Sequence, residues 1–446
     1  MTAPAASRPE PSDRHTPHRP SARSALLGGA PVRSRPLPSV FDATGRLFGP
    51  EEREAVDEVL RSGTLTRWGG TAVTALERAW ADRLGVRHAV AVSSGTAALQ
   101  VALAALDLAP GREVVTTPVT DMGTVIAIVR AQLVPVFADV DPLTGMLTPE
   151  TVRAAITEHT GAVLPVHLFG RLAPTAGIRA VTAEFGVPVV EDASQAHFSR
   201  DRDGFAGTGG AFGCFSLQQS KVISCGEGGI LVTDDDELFE RAALFQNKGW
   251  ARERTGDRAY PVLGVNYRMP ELSAAVALAQ LRKADEIIAR RRNSHAALVV
   301  ALAGEPDVRV ATERDGELAS WWALCVQWPA LLAEPGLGAG IAASLAADGT
   351  PFAPGYIGVS PLYLSDALRA VRPGEPPWSF HPRPPRHRPG DCPGAERFLR
   401  HSFTLNWNEG LTPDDARDVA RAVARALPAA RAQRDRGARG PEATPC

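Results

Sequence analysis

One lysine stands out for the chemistry it can do. Lys221 lies in FSLQQSKVISCGEGGILVTDDD, residues 215 to 236, between an apolar run ending at Phe215 and a Gly-rich turn, Gly226 to Gly229, that leads into a second apolar run, Ile230 to Thr233. That pattern puts it at a strand end rather than on a solvated helix. The chain takes nearly all its positive charge from arginine and has only three lysines, Lys221, Lys248 and Lys283. A guanidinium cannot form an imine, whereas a lysine amine adds to an aldehyde, so a lysine at such a place invites a covalent reading. The plain alternative is a surface charge.

Two further segments offer complementary chemistry. In VVEDASQAH, residues 189 to 197, Asp192 follows a fully apolar run, where a buried carboxylate can pair with a cationic ring nitrogen and Gln195 can donate to a ring hydroxyl. Asp192 as a cap of the following segment is the competing reading. In HAVAVSSGTAALQVALAAL, residues 88 to 106, a short strand runs through small residues into an Ala/Leu-rich helix. The Gly95 and Thr96 N–H groups there would sit at the positive end of a helix dipole, which suits a phosphate, although an ordinary capped core helix fits the same residues. An imine-forming lysine, an acid for a ring nitrogen and a phosphate cradle together point to pyridoxal phosphate (PLP).

The elements that must position these groups alternate along the chain. Strand-like runs occur at 113 to 117, 133 to 138, 161 to 166, 187 to 191, 211 to 217 and 228 to 233. Helical segments lie near 124 to 131, 149 to 157, 176 to 185 and 235 to 246, after two earlier helices over 51 to 62 and 73 to 84. Such alternation predicts an α/β domain with a mostly parallel central sheet flanked by helices, and ligands in such sheets bind beyond the carboxyl ends of the strands. From about 290 the pattern changes to a smaller α+β domain with a helix at 291 to 302, a strand at 321 to 328, a helix near 338 to 347, and helix, strand and helix at 392 to 400, 401 to 407 and 413 to 427. Between them the Pro-, His- and Arg-rich stretch 371 to 390 is expected to be a loop or lid that contacts substrate. The expected organisation is a flexible tail (1 to 40), a large domain (41 to 290), a small domain (291 to 428) and a second flexible tail (429 to 446).

Composition narrows the class. The 446 residues are 44% hydrophobic and 22% charged with net charge −2, as for a globular protein without a bulk electrostatic case for nucleic acid or anionic membrane. Neither a secretory signal nor a membrane span is expected, the five cysteines lack metal-ligand spacing, and their odd count fits a reducing cytoplasm.

Several segments, in order, resemble the DegT/DnrJ/StrS family of PLP-dependent sugar aminotransferases: SSGTAAL (93 to 99), EVVTTPVTDMGTVIAIVRAQLVPVFADVDP (113 to 142), PVHLFG (165 to 170), VVEDASQAH, GGAFGCFSLQQSK (209 to 221), GEGG (226 to 229), NKG (247 to 249) and GVNYRMPELSAAVALAQL (264 to 281). The similarity covers roughly 47 to 427. It implies a fold-type-I PLP enzyme, a homodimer, that moves an amino group from glutamate or glutamine to a keto sugar or ketocyclitol. Lys221 matches the lysine that holds the cofactor, Asp192 the ring-nitrogen partner and Gln195 the residue near the ring hydroxyl. Gly95, Thr96 and Ser216 match phosphate contacts, Asn266 matches an asparagine reaching the phosphate of the partner subunit, and the helix at 270 to 292 is expected near that interface. The chain departs from the family at Asp121, which stands where an aromatic residue usually stacks on the ring; Met122 beside it is the expected substitute. Gln218, in QQSK, resembles the branch acting on ketocyclitols such as scyllo-inosose. Gln218, Trp407 and Asn408 are the expected substrate contacts, with Trp407 as a core residue standing beside that reading, while Arg383 and Arg386 would hold a diphosphate if the substrate were a nucleotide sugar. A dehydratase of the same fold, a non-catalytic PLP-binding regulator and an α/β protein using SSGT for another phosphate are the rival readings.

Overall fold

The computed structural model describes residues 23 to 251, 259 to 372 and 374 to 438. Its larger part is built on seven strands: β1 (His88–Val92), β2 (Glu113–Thr116), β3 (Val134–Phe137), β4 (Thr160–Leu164), β5 (Val190–Asp192), β8 (Phe212–Ser216) and β9 (Gly229–Thr233). A small hairpin, β6 (Arg200–Asp201) and β7 (Gly204–Phe205), stands between β5 and β8. Two hydrogen-bonded blocks, β3-β2-β4 and β5-β8-β9-β1, are joined by parallel bridges from Val163 to Val189 and from Val166 to Asp192. All seven strands run parallel except β9, which pairs antiparallel with both β8 and β1. Strands β4, β8 and β9 are buried along their whole length, which is why they read as unbroken apolar runs.

Helices α1 (Pro50–Ser62), α2 (Ala72–Leu84), α3 (Gly95–Ala105), α4 (Met122–Arg130), α5 (Pro149–Ala155), α6 (Thr175–Phe185) and α7 (Asp236–Gln246) accompany the sheet. Helix α3 packs on β8 and β9 and against α4 and α7, so its first turn opens at the carboxyl ends of the strands. The single helix expected over 270 to 292 is two, α8 (Glu271–Arg282) and α9 (Ala284–Leu302). They break at Lys283, whose ammonium is drawn to the Leu47 carbonyl at 2.7 Å and to Glu52 at 2.5 Å.

The smaller part is an antiparallel sheet in the order β10 (Arg309–Val310), β11 (Ala323–Gln327), β13 (Ser402–Asn406), β12 (Ala353–Pro354). Its core joins α9, α10 (Gly338–Ala347) and α13 (Pro413–Ala438) through Leu298, Trp328, Leu345, Phe403, Trp407 and Val423. The remaining helices are α11 (Asp366–Arg369) and α12 (Pro393–His401).

Both expected tails need correction within the described residues. Residues 23 to 40 lie along the small domain. The Ser24 hydroxyl contacts Ser344 at 3.0 Å and Asp348 at 3.1 Å, and Arg33 pairs with Asp415 and Asp418 at 2.7 and 2.8 Å. These polar tertiary bonds hold the segment together with Val32 and Leu37, which pack on the small-domain core, and the buried Val40, apolar residues too widely spaced to show a period. At the other end α13 continues through Pro428 to Ala438. Gly340 lets α10 approach so closely that a Cβ there would lie 2.9 Å from the Ala430 Cβ, and Arg431 and Arg434 both pair with Glu334. Residues 1 to 22 and 439 to 446, the outer parts of the two tails, lie outside the described residues.

The stretch 371 to 390 is also placed differently from the expectation. His381 hydrogen-bonds Glu113 at 3.0 Å, and Phe380 packs over Gly111, so this segment straps the amino end of β2, opposite the carboxyl ends. Arg386 lines a separate surface cavity with Phe137, Tyr363 and Trp378.

Candidate active site

A cleft of about 440 Å³ opens at the carboxyl ends of the strands. One wall is the first turn of α3. Ser94 caps that helix by accepting from the Ala97 N–H at 3.1 Å, and the Gly95 and Thr96 N–H groups have no hydrogen-bond partner among the described residues. Gly95 has no room for a side chain, since a Cβ would lie 2.6 Å from the Ser216 Cβ. Backbone donors, a helix dipole and the Ser216 and Thr96 hydroxyls thus form a cradle for a phosphate.

The opposite end is Asp192, at the end of β5 and 5% exposed. One oxygen accepts from the Thr124 hydroxyl at 2.9 Å, which is itself 2.8 Å from the Thr120 hydroxyl, and the other accepts from the Ser194 N–H at 3.1 Å. These bonds fix the carboxylate plane. Gln195 accepts from the Phe169 N–H at 3.0 Å and donates to the Tyr356 hydroxyl at 2.6 Å.

Lys221 reaches into the same cleft, its Nζ 4.3 Å from the centroid of the Trp322 ring. Burial lowers its pKa below the usual lysine value, while the Asp192 and Asp121 charges oppose that shift. The balance raises the share of uncharged, nucleophilic amine. Its loop is held from three sides. The Lys221 carbonyl accepts from Arg46 at 2.8 Å, the Ser220 carbonyl accepts from the Trp322 indole at 2.8 Å, and the Ile223 N–H donates to His197 at 3.2 Å. His197 is buried against Trp80 and Phe215, and burial pulls its pKa down to about 3, so it serves this loop as a neutral acceptor.

Arg46 belongs to a buried charged cluster behind the lysine. Arg291 donates to one oxygen of Glu409 through Nε at 3.0 Å and Nη2 at 2.6 Å, and Arg46 Nε lies 3.7 Å from the other oxygen. Arg291 also donates to the Trp407 carbonyl at 2.5 Å. Burial lowers Arg46 to about 10, partly countered by Glu409. The cluster joins residue 46, the small domain and the Lys221 backbone.

Of the residues expected at the site, Gly95, Thr96, Asp192, Gln195, Ser216, Gln218 and Lys221 line this one cleft. Gln218 turns its carbonyl oxygen to the Ser220 N–H and hydroxyl, both at 2.8 Å, leaving its NH2 as the polar end available to a ligand. Met122 does not line the cleft. Asp121 caps α4 by accepting from the Gly123 N–H at 2.7 Å, so residue 122 begins the helix and packs against the core, while Asp121 takes the place on the cleft wall. Trp407 is fully buried in the small-domain core, its indole donating to the Arg291 carbonyl at 3.1 Å. Asn408 is also buried, donating to the Pro38 carbonyl at 2.8 Å and capping Gly410. Neither lines the cleft. Asn266 lies outside it too, in a bridge with Asn247. Thr120, Thr124, Trp322, Tyr356 and Ile357 line the cleft without having been expected. Thr120 and Thr124 flank the cap of α4, and the TxxxT spacing was their local signal; nothing local marks Trp322 or Tyr356, which arrive from the small domain.

The chain matches the profile of the DegT/DnrJ/EryC1/StrS aminotransferase family over residues 47 to 424. It belongs to that family. A protein of Streptoalloteichus tenebrarius, named as a candidate L-glutamine:3-amino-2,3-dideoxy-scyllo-inosose aminotransferase, is 40% identical over 275 residues, 60% of this chain and 64% of that relative. The chain thus spans slightly less than two thirds of the length of this relative. A Streptomyces kanamyceticus protein of the same description is 37% identical over 288 residues, 64% of this chain and 67% of the relative. Among solved structures, DesI with its TDP-sugar product superposes with a TM-score of 0.78 at 30% identity, covering 93% of this chain and 98% of that one. The aminotransferase TlmJ of Streptoalloteichus hindustanus gives 0.76 at 28% identity, covering 87% and 99%. The fold is that of fold-type-I PLP aminotransferases.

The residues of the cleft fit PLP. Free N–H groups and hydroxyls at α3 suit its phosphate, the pinned Asp192 carboxylate suits its ring nitrogen, and Lys221 is the amine that can hold its aldehyde carbon.

Proposed function

We propose that this chain is a PLP-dependent aminotransferase that moves an amino group from glutamine or glutamate to a keto sugar or ketocyclitol in aminosugar or aminocyclitol biosynthesis. The observation that carries the reading is the convergence, in one cleft, of a lysine with a lowered pKa, a buried carboxylate with both oxygens hydrogen-bonded, and an open helix N-terminus. When bound, PLP supplies a ring that accepts electrons from the substrate carbon. Asp192 holds the proton on the ring nitrogen, in the orientation that Thr124 and Ser194 impose. Gly95, Thr96 and Ser216 hold the phosphate. The Lys221 Nζ would take the proton from the substrate carbon and deliver it, on the same face, to the cofactor carbon, acting as base and then as acid. Trp322 and Tyr356 narrow the cleft over that amine and exclude water. The presence of Lys221 favours amino transfer over the dehydratase reading, because the dehydratases of this family lack the lysine.

The ketocyclitol branch is supported by QQSK and by the two actinomycete relatives named for an inosose substrate. A homodimer is supported by apolar side chains left open, Leu263 at 98% and Tyr260 at 54% exposure, in the segment leading to Asn266. We place the protein in the cytoplasm: no helix among the described residues is long and apolar enough to cross a membrane, and Cys214, Cys225, Cys325 and Cys392 are all free thiols.

Borohydride reduction of the PLP-loaded protein, followed by peptide mapping, should place the pyridoxyl group on Lys221, and glutamine should bleach the visible absorbance of unreduced protein. An adduct on Lys248 or Lys283, or absorbance indifferent to both glutamine and glutamate, would overturn the reading.

A further inference from the structure

Trp322 meets the lysine loop twice. The Lys221 Nζ lies over the indole face, 4.3 Å from the ring centroid, and the indole N–H donates to the Ser220 carbonyl at 2.8 Å. Because that N–H lies in the ring plane, its bond to the residue before the lysine fixes which way the face looks. The backbone that delivers the ring is strained. Trp321 has φ 47°, a left-handed conformation that a bulky side chain rarely adopts. Gly170 lets this backbone come close: a Cβ there would lie 2.3 Å from the Trp321 N and 2.6 Å from the Trp322 N. The Gly170 carbonyl accepts from the Ser320 N–H at 3.0 Å and from the Ser199 hydroxyl at 2.7 Å, and Trp321 stacks on His295 at 3.5 Å. Strain held in place by several independent contacts points to a placement with a use. Among the described residues lining the cleft, aromatic rings come from Trp322 and Tyr356 alone, both from the small domain.

We propose that Trp322 is a positioning residue that seats the Lys221 ammonium by a cation–π contact, holding the proton on Nζ between its pickup from the substrate carbon and its delivery. This rests on the aminotransferase reading above. In the pickup the C–H bond breaks, its electron pair passes into the bound ring, and the proton forms the third N–H bond of Nζ. The new charge appears in a buried place, where a π face attracts it more strongly than in water. The charged groups around Nζ are few. Asp192, at the end of β5, has both oxygens hydrogen-bonded and faces the ring nitrogen. Asp121 at the start of α4 and Glu227 in the turn before β9 line the cleft as carboxylates. Behind the loop His197 is neutral, and Arg46 donates to the Lys221 carbonyl. The small domain brings only the neutral Trp322, Tyr356 and Ile357 to the cleft. Without the indole face, burial would pull the amine further toward its uncharged form.

The test is competitive labelling of full-length protein loaded with pyridoxamine phosphate, the form in which Nζ is free to titrate. Trace acetic anhydride is added across a pH series, and mass spectrometry of the peptides reads how much each lysine takes up. The chain has only three lysines, so Lys248 and Lys283 serve as internal standards. Because the indole face favours the charged amine, removing it should lower the pH midpoint of Lys221 labelling. Trp322→Leu should lower it by about one pH unit, between the exposed and the desolvated ranges for such a contact, and Trp322→Phe, which keeps a weaker face, by about half as much. The Lys248 and Lys283 midpoints should not move. A merely structural role would lower Tm and leave the Lys221 midpoint in place. The proposal is overturned if that midpoint is unchanged or rises in either folded variant, or if all three lysines shift together. Labelling needs no turnover, and bleaching by the amino donor is read separately. Protein that glutamine bleaches but whose midpoint does not move refutes the seat alone; protein whose midpoint moves but that neither glutamine nor glutamate bleaches refutes the aminotransferase reading alone.

Discussion

Replacing Glu409 with Gln tests whether the buried cluster behind Lys221 holds the two domains together. The carboxylate is 3% exposed and is the anion for two buried guanidiniums, Arg291 at 2.6 and 3.0 Å and Arg46 at 3.7 Å. An amide can still accept one hydrogen bond, but it leaves both cations without a counter-charge. Breaking a buried pair from one side costs about 3–5 kcal/mol. With an unfolding entropy of about 2.1 cal/mol/K per residue over roughly 400 residues, that is a drop in Tm of about 4–6 °C. Scanning calorimetry of wild type and Glu409→Gln at one scan rate measures it. The pH dependence gives a second handle. The folded-state pKa of Glu409 lies below the ordinary 4.5, with burial opposed and outweighed by the two arginines and hydrogen bonds. Its contribution is therefore fully present above pH 4.5 and is lost as pH falls through the folded value, so the gap between the proteins should hold from pH 7 to about 4.5 and narrow below it. An unchanged Tm, or a gap that widens in acid, would refute the account of the cluster.

Two other outcomes follow from the placement of residues. Asn266→Ala should weaken cofactor retention roughly tenfold, as expected for loss of one hydrogen bond to a charged phosphate, and a fully active monomer in sedimentation would show that Asn266 serves no partner subunit. Replacing Arg383 and Arg386 together with Ala should leave the acceptor KM and its salt dependence unchanged, because the strap that carries them lies at the amino end of β2; a raised KM would place the strap at the cleft after all.

The large domain was legible because its signals are local. Strands β5 and β8 are buried along their whole length and run parallel, and each ends at a polar residue, Asp192 and Ser216, that the sheet topology carries to one edge. Hence Gly95, Asp192 and Lys221 were found from order and spacing and Ser216 from the family resemblance, and they meet in one cleft. What escaped depends on distant partners. Trp322 and Tyr356 enter the cleft from the small domain, and of the two places open to Trp407, substrate contact or core, it takes that domain's core. At 121 and 122 the deciding factor was a cap: once Asp121 starts α4, Met122 must turn inward. The ends of the chain misled for a related reason, since Ser24, Arg33 and Arg431 gain their order from side chains hundreds or tens of residues away.

The clasp between residues 23 to 40 and the small domain has a consequence for how the molecule is made. Every strand of the large sheet lies between His88 and Thr233, so that sheet can assemble as soon as the middle of the chain has left the ribosome. Residues 23 to 40 cannot settle then. Ser24 waits for Asp348 and Arg33 for Asp418, an interval on the order of tens of seconds at ordinary synthesis rates. Through that interval the amino-terminal segment is tethered to a finished sheet with its own docking surface still unmade, and the small domain closes only when both ends of the chain meet.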